Sequence, residues 1–212
     1  MRVGVTAGPT REAIDPVRLV TNRSSGKMGY ALAEAAWQRG AEVLLISGPV
    51  GLAVPCGVTL RHVDTTADLL QAVREARPEL DLLIMAAAPA DYRPAESSPV
   101  KRPRQGGALQ LSLEATPDIL LETASLRKPG SLTVGFARET GAAVARGRAK
   151  LERKGLDLIV VNDAMEPGAG FEVDTNRVIL LDRKGGEVEL PLASKRTIAD
   201  GILDAIEAAL GH

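Results

Sequence analysis

The chain has few aromatic residues, one cysteine and two histidines, and each scarcity excludes a class of function. Phe, Trp and Tyr make up 2% of the 212 residues, too few for a platform on which nucleic-acid bases stack. Cys56 alone cannot form an intrachain disulfide framework, and so few thiols and imidazoles leave no basis for a metal site built from them. No stretch approaches the roughly 18 consecutive apolar residues of a membrane-spanning helix, and the N-terminus lacks the apolar core of a signal peptide. We expect a soluble, cytoplasmic protein.

The chain also lacks an excess of either charge. Lys and Arg number 26 and Asp and Glu 27, so no overall basic field exists to attract nucleic acid or an anionic membrane. Any anionic ligand must therefore be held by a local site. The composition, 45% apolar and 25% charged, is that of a folded protein, and the length predicts one domain over residues 1–212.

Short runs of aliphatic and β-branched residues alternate with Gly- or Pro-containing turns and stretches of helical spacing. Several runs are apolar at every position, which is typical of parallel strands covered on both faces. This predicts an α/β protein with a Rossmann-like, three-layer α/β/α fold and a mostly parallel sheet. The strand candidates are Val3–Thr6, Val43–Ile46, Val58–Val63, Leu82–Ala86, Leu132–Gly135 and Leu156–Val161.

Five helices follow from apolar spacing and capping residues. The first has apolar residues at i, i+3, i+4, i+7 and i+8 from Met28 to Ala36, with Gly40 placed to end it. Thr66 is the expected N-cap of the second helix and Thr116 that of the third. A fourth helix is predicted over about residues 140–154, and a final amphipathic helix begins at Ser194.

Two segments depart from this pattern. Residues 94–107 contain three prolines and the cations Lys101, Arg102 and Arg104, which predicts a mobile basic loop that could close as a lid. Its alternative is an ordinary solvated run of charge. Residues 171–192 predict a β-hairpin around Lys184-Gly185-Gly186.

In a parallel sheet, ligands bind beyond the carboxyl ends of the strands, so loops after strands are the candidate sites. Gly8 follows the first strand and would let backbone amides approach an anion. Ser24, Ser25, Gly26 and Lys27 precede the first helix and suit a phosphate, although a serine-capped helix is an equal alternative. This is not a Walker A loop, because Thr21 stands where that motif needs glycine.

The loop after the central strand, 86–92, combines small residues with Asp91. It could accept a flat ring near the backbone, with the carboxylate accepting from an amine or a hydroxyl, but tight packing with an exposed turn aspartate is the alternative. A nicotinamide dinucleotide is disfavoured, since no G-x-G-x-x-G follows the first strand and no acidic residue ends the second. His62, the one internal histidine, lies in a strand pattern, so a Ser-His-Asp or Cys-His arrangement has little support.

Taken together, the ordered motifs closely resemble those of the bacterial phosphopantothenoylcysteine synthetases, over essentially the whole chain. They are Thr6–Glu12, Asp15–Arg18, Asn22–Gly29, Ala90–Tyr92, Pro117–Ile119, Gly135–Thr140, Asn162-Asp163 and Gly170-Phe171. The resemblance implies a ligase that joins 4′-phosphopantothenate to L-cysteine using CTP, through an acyl-cytidylate, with release of pyrophosphate and CMP. Many such synthetases are fused to a flavin-dependent decarboxylase, but no FMN is expected on this chain.

The resemblance also implies residue roles. Asn22 would handle the acyl-cytidylate, Arg18 would support the same site, and Lys101 would neutralise the triphosphate. The usual Lys-x-Lys-Lys becomes Lys-Arg-Pro-Arg here, so only Lys101 is carried over with its role. For CTP, besides the loops containing Gly8, Ser25 and Gly26, the matching positions are Met85, Ala86, Ala87, Asp91, Pro117, Asp118, Ile119, Leu120, Phe136, Lys150 and Lys154.

Further expectations concern ions, partners and rival functions. Mg²⁺ is implied by the triphosphate, but no carboxylate cluster in the sequence identifies its ligands. The resemblance also implies a homodimer, and the hairpin is our candidate for the contact between the two subunits. The alternative is that the hairpin extends the sheet of its own subunit by two strands. The rival readings are an NADP-binding reductase and a noncatalytic nucleotide-binding module.

Overall fold

Strands and helices alternate along the chain as the sequence pattern predicts. The computed structural model describes residues 1–104, 106–139, 141–163 and 173–210. In chain order the elements are β1 (Arg2–Ala7), β2 (Arg11–Ala13), β3 (Leu19–Thr21), α1 (Lys27–Gln38), β4 (Glu42–Ser47), β5 (Thr59–His62), α2 (Thr66–Ala76), β6 (Leu82–Met85), β7 (Tyr92–Pro94), β8 (Leu113–Ala115), α3 (Ile119–Glu122), β9 (Leu132–Glu139), α4 (Ala143–Arg153), β10 (Leu158–Asp163), β11 (Thr175–Asp182), β12 (Glu187–Ser194) and α5 (Lys195–Leu210).

One eight-stranded sheet organises the molecule, in the order β12-β11-β10-β9-β6-β1-β4-β5. The strands from β5 to β10 in this order are parallel, whereas β11 and β12 are antiparallel to their neighbours. From β1 the chain moves first to β4 on one side and later to β6 on the other, which is the doubly wound topology. The predicted Rossmann-like fold is therefore confirmed, and a crevice is expected at the carboxyl ends of β1 and β6.

Helices cover both faces of the sheet. Helices α1 and α5 pack together against one face, where the fully buried Leu32, Ala35 and Ile202 meet Val5 and Ile84. Helices α2 and α3 cover part of the opposite face, and α4 covers the rest. Continuous burial along β1 and β6 explains why these strands are apolar at successive positions.

Two helices begin at residues other than those expected. Thr65, not Thr66, caps α2: its hydroxyl accepts from Asp68 N at 3.1 Å, and the Asp68 carboxylate accepts from Thr65 N at 2.9 Å. The neighbouring Thr66 points inward and has its own buried partner. Asp118, not Thr116, caps α3. The expected Ser194 cap of α5 is confirmed by a 3.1 Å hydrogen bond from Thr197 N.

The hairpin is present as β11 and β12, and it extends the central sheet because β11 pairs with β10. The hairpin therefore extends the sheet of its own subunit, which is the alternative that we gave to a dimer contact. The homodimer itself stays a prediction. Thr140, Gly170 and Phe171, and the hairpin's predicted first residues, lie outside the described residues. The predicted loop 94–107 begins inside β7 with buried Pro94 and is attached to the turn before Arg18, since Ser98 N donates to Ile14 O at 3.0 Å.

Gly29 lets α1 pack tightly on β1. A Cβ at this position would lie 2.6 Å from the Ala7 Cβ and 2.9 Å from the Thr6 carbonyl oxygen. We expect Gly29→Ala to lower the free energy of unfolding by about 1–3 kcal/mol in urea titrations, because the first turn of α1 must move away from the strand. Gly51→Ala is the control, since a new Cβ there meets nothing within 4 Å. Equal effects of the two changes would contradict this explanation.

Candidate functional site

A cavity of about 310 Å³ opens at the carboxyl ends of the parallel strands, where the topology predicts a site. Its walls come from the segment before α1 and the start of that helix, from the loops or ends of β6, β9, β10 and β11, and from single residues of α4 and α5. The lining residues are Asn22, Ser24, Ser25, Gly26, Lys27, Met28, Gly29, Ala86, Ala87, Ala88, Asp91, Phe136, Ala137, Arg138, Lys150, Asn162, Asn176 and Lys195.

Many of the residues expected from the sequence meet in this cavity, although they are far apart in the chain. Those that line it are Asn22, Ser25, Gly26, Ala86, Ala87, Asp91, Phe136 and Lys150. Those outside its lining are Gly8, Arg18, Met85, Lys101, Pro117, Asp118, Ile119, Leu120 and Lys154. Met85 and Ile119 are buried in the hydrophobic core, so their side chains support the site from behind.

Backbone contacts bring the first two candidate loops together. Gly8 and Gly26 both have φ of +74°, and a Cβ on Gly26 would lie 2.9 Å from the Val50 Cγ1 and 3.4 Å from the Gly8 nitrogen. Gly26 is also the N-cap of α1, so the expected alternative of a serine-capped helix is wrong. A glycine N-cap has no side chain to accept from the first turn, which favours an anion at this helix end.

Asn22 is held against the loop that contains Asp91. Its side-chain nitrogen donates to the Pro89 carbonyl oxygen at 2.8 Å. The same loop is fixed from beneath, because Ala90 N donates to the buried Thr10 hydroxyl at 2.8 Å and the Thr116 hydroxyl donates to Ala90 O at 2.6 Å. The Asn22 amide and the Asp91 carboxylate thus line one end of the cavity on braced backbone.

The two lysines that the resemblance assigns to CTP, Lys150 and Lys154, pair with carboxylates on different elements. Lys150 lies in α4 and lines the cavity, and its Nζ is 2.5 Å from Oε1 of the buried Glu139. Lys154 lies just beyond the last residue of α4, and its Nζ is 2.9 Å from the Asp118 carboxylate at the start of α3. Lys150 therefore contributes to the cavity wall, whereas Lys154 contacts the 117–120 segment.

Arg18 anchors the basic loop. Its Nη2 lies 2.5 Å from the Asp15 carboxylate and donates to the Arg102 carbonyl oxygen at 2.6 Å. Arg102 N donates to the same carboxylate at 3.2 Å. Lys101, the next residue back, is exposed. Arg18 and Lys101 are thus connected through Arg102, and both lie outside the cavity lining.

Asp15 is ionised more readily than an ordinary aspartate. Burial of its carboxyl group opposes ionisation, but hydrogen bonds from the Arg18 side chain and from the backbone of Val17, Arg102 and Arg18 outweigh burial and hold its pKa well below the usual range. A lowered pKa means that the folded chain favours the ionised form. The resulting stability is complete above the unfolded pKa of about 4 and is lost as the pH falls below it.

We therefore expect Asp15→Asn to destabilise the chain near about pH 7, and the difference from wild type to narrow as the pH falls toward about 3. Urea titrations at a series of pH values measure this. Glu96→Gln, which removes an exposed carboxylate from the 94–107 loop that Asp15 contacts, should show no such narrowing. A difference that stays constant over the whole range would contradict the assigned role of Asp15.

Comparison with known proteins identifies the family. The family model that describes the DNA/pantothenate metabolism flavoprotein C-terminal domain matches residues 1–210 of this chain. The chain belongs to this family. It is 48% identical over 207 residues to the Coenzyme A biosynthesis bifunctional protein CoaBC of Bacillus subtilis (strain 168), covering 97% of this chain and 51% of the relative. The CoaBC of Vibrio vulnificus (strain CMCP6) is 43% identical over 210 residues, covering 98% of this chain and 52% of the relative.

A crystal structure of the C-terminal domain of a CoaBC protein superposes with a TM-score of 0.84 at 41% identity, covering 99% of this chain and 95% of that chain. The chain spans about half the length of the curated CoaBC relatives that it matches. The family resemblance drawn from the motifs is confirmed.

The cavity of this family member includes residues that the sequence did not single out as site residues. Asn162 was noted only within a motif, Asn176 only as part of the predicted hairpin, and Lys195 was not noted at all. Their signal is weak, because a buried lysine at the start of α5 looks in sequence like a solvated first-turn residue. Asn162 belongs to the parallel strand β10, and the pairing of β11 with β10 brings Asn176 beside it.

Among the described residues, no three or more His, Cys, Asp or Glu side chains are grouped as metal ligands. Within the same ranges, no helix combines the length and the apolar character needed to cross a membrane.

Proposed function

We propose that the chain catalyses the CTP-dependent ligation of 4′-phosphopantothenate and L-cysteine in coenzyme A biosynthesis. The observation that carries the proposal is the single cavity that is lined by Asn22, held against the Ala86–Asp91 loop, and by Lys150. The names of the relatives, which specify coenzyme A biosynthesis, support the pathway.

In the first step, a carboxylate oxygen of 4′-phosphopantothenate attacks the α-phosphorus of CTP and pyrophosphate leaves. In the second, the cysteine amine attacks the activated carbonyl carbon, CMP leaves with the electron pair of the broken C–O bond, and the amine loses a proton. Both steps gather negative charge, so cationic and amide donors held in place supply the catalysis.

The nucleotide would lie on the side of the cavity that contains Ala86, Ala87 and Phe136. Small side chains there allow a flat base to approach the backbone, and Asp91 can accept from its amine or from a ribose hydroxyl. Lys150 and Lys154 would extend this contact toward residues 117–120, with Gly8, Ser25 and Gly26 supplying the adjoining backbone. The Glu139 carboxylate holds the Lys150 ammonium group in position, and the Asp118 carboxylate holds that of Lys154.

Asn22 would donate its amide to the acyl-cytidylate, and Lys101 would be brought over the triphosphate by the loop that Arg18 anchors. Mg²⁺ would accompany the triphosphate, but the described residues do not form a carboxylate site for it, and no step is assigned to the ion. We also propose a homodimer, which light scattering of the purified chain would test by its molar mass.

The decisive experiment incubates the purified chain with CTP, Mg²⁺, 4′-phosphopantothenate and L-cysteine. We expect CMP and pyrophosphate in equal amounts, with CMP formation dependent on cysteine. Absence of CMP would reject the ligase. CTP binding without turnover would instead support a noncatalytic nucleotide-binding module. Tight NADPH binding without CTP binding would support a reductase, a function that is compatible with the doubly wound strand order.

A further inference from the structure

Three threonine hydroxyls surround one residue of the loop that follows β6. Ala90 N donates to the Thr10 hydroxyl at 2.8 Å, the Thr10 and Thr66 hydroxyls share a hydrogen bond of 2.8 Å, and Thr66 donates to Ala90 O at 3.4 Å. The Thr116 hydroxyl donates to the same carbonyl oxygen at 2.6 Å. We call Thr10, Thr66 and Thr116 the threonine cluster. Side chains from three distant parts of the chain thus hold both backbone polar groups of Ala90.

Thr10 also connects this cluster to the segment that contains Asn22. Its carbonyl oxygen accepts from the Thr21 hydroxyl at 2.7 Å, and Thr21 directly precedes Asn22. The Asn22 side-chain nitrogen donates to Pro89 O, which belongs to the residue just before Ala90. Thr10 is therefore bonded both to the residue next to Asn22 and to the residue next to the acceptor of the Asn22 amide.

The hydrogen bond between Ala90 N and the Thr10 hydroxyl lies inside the protein. Ala90 is 2% exposed and Thr10 is 1% exposed, so solvent is a poor substitute for the hydroxyl. A buried N–H group that loses its acceptor costs free energy until the chain moves to supply another one. Loss of the Thr10 hydroxyl is therefore expected to displace the backbone around Ala90.

The first half of the loop is held independently of Thr10. Ala87 N donates to the buried Thr6 hydroxyl at 3.0 Å, and Ala88 N donates to Gly8 O at 2.9 Å. A displacement that begins at Ala90 would therefore be concentrated in residues 89–91. These residues include the acceptor of the Asn22 amide and Asp91.

We propose that Thr10 is a positioning residue for the ligation, which sets the Asn22 amide relative to the loop that contains Asp91. This inference rests on the proposed function, in which Asn22 donates to the acyl-cytidylate. Thr10 is nearly fully buried and lies outside the cavity lining, so it acts through Pro89 and Thr21. A shift of about 1 Å in a positioned group can cost about a hundredfold in rate.

The test is a double-mutant cycle that combines Thr10→Val with Asn22→Asp, with CMP formation measured by rapid quench. Valine keeps the shape of threonine and removes the hydroxyl. We expect Thr10→Val to slow CMP formation by about tenfold to hundredfold in the wild-type background. In the Asn22→Asp background the slowing should be less than about threefold, because the amide that Thr10 positions is already lost. Thr10→Ser, which keeps the hydroxyl, should retain most of the rate.

Thr133→Val is the matched control. Thr133 is 5% exposed and its hydroxyl accepts from Arg77, but it lies at the amino end of β9, whereas the cavity lies at the carboxyl ends of the strands. This variant should lower the free energy of unfolding without slowing CMP formation. Slowing by the same factor in both backgrounds of the cycle would overturn the proposal, since Thr10 would not act through Asn22. A raised KM for CTP, or a loss of stability, with an unchanged rate of CMP formation in Thr10→Val would also overturn it.

A second variant and a second measurement complete the test. If Thr10→Val does not fold, Thr21→Val replaces it in the same cycle with the same expectations, because it removes the hydrogen bond to Thr10 O from an exposed position. Should the wild type form no product, the proposed ligation fails, and NMR spectra of the unliganded chain test the positioning separately. We expect the variant to shift the resonances of the Ala90 amide and of the Asn22 side-chain NH2 group. An unmoved Asn22 resonance would overturn the proposal.

Discussion

Replacing Asn22 by aspartate is expected to leave pyrophosphate release largely intact and to slow product formation by about 100- to 1000-fold. The amide nitrogen donates to Pro89 O at 2.8 Å and to Ala88 O at 3.5 Å, and in the proposed reaction the longer of these bonds is exchanged for one to an oxygen of the acyl-cytidylate. A carboxylate cannot donate at neutral pH and would repel the phosphate of the intermediate. The first step would proceed, and transfer to cysteine would stall.

Rapid-quench measurements of pyrophosphate and CMP in the same reaction would separate the two steps. We expect about one pyrophosphate per site to form quickly and CMP to follow slowly. Gln38→Glu is the control, because it introduces the same charge at the exposed other end of α1. Normal CMP formation by Asn22→Asp would show that Asn22 does not handle the intermediate.

The second large effect is expected for Lys101→Gln, which should slow pyrophosphate release itself by about 100-fold. Lys101 is exposed, but the next residue is tied to Asp15 and Arg18 through both its backbone N–H and its carbonyl oxygen. The ammonium group therefore extends from a fixed point and can be directed over the triphosphate. Without it, the charge that develops on the leaving pyrophosphate lacks a cation.

Lys101→Arg should retain most of the rate, since it keeps the charge. Lys128→Gln should match wild type because its lysine is exposed in the turn before β9, at the opposite end of the strands from the cavity. Pyrophosphate release is measured in single-turnover reactions with saturating CTP. An unchanged rate in Lys101→Gln would mean that the basic loop is a solvated charge run, the alternative that the sequence left open.

Local sequence patterns predicted the elements whose signal lies within the element. The apolar face of α1 and the buried strands β1, β4 and β6 are correct because each must bury several residues against the same core. Strands β2, β3, β7 and β8 were not predicted. Each has three residues and is partly or wholly exposed, so no apolar period marks it.

The sequence by itself determined the Rossmann-like fold, the family, the placement of Asn22 and Asp91 in loops, and the placement of Lys150 in a helix. Only the tertiary structure decided that Arg18 and Asp15 hold a loop more than 80 residues away, that α4 ends before Lys154, and that Lys195 is buried in the cavity wall. Periodicity and capping depend on neighbours in the chain, whereas these contacts depend on which strands become adjacent and how their ends meet.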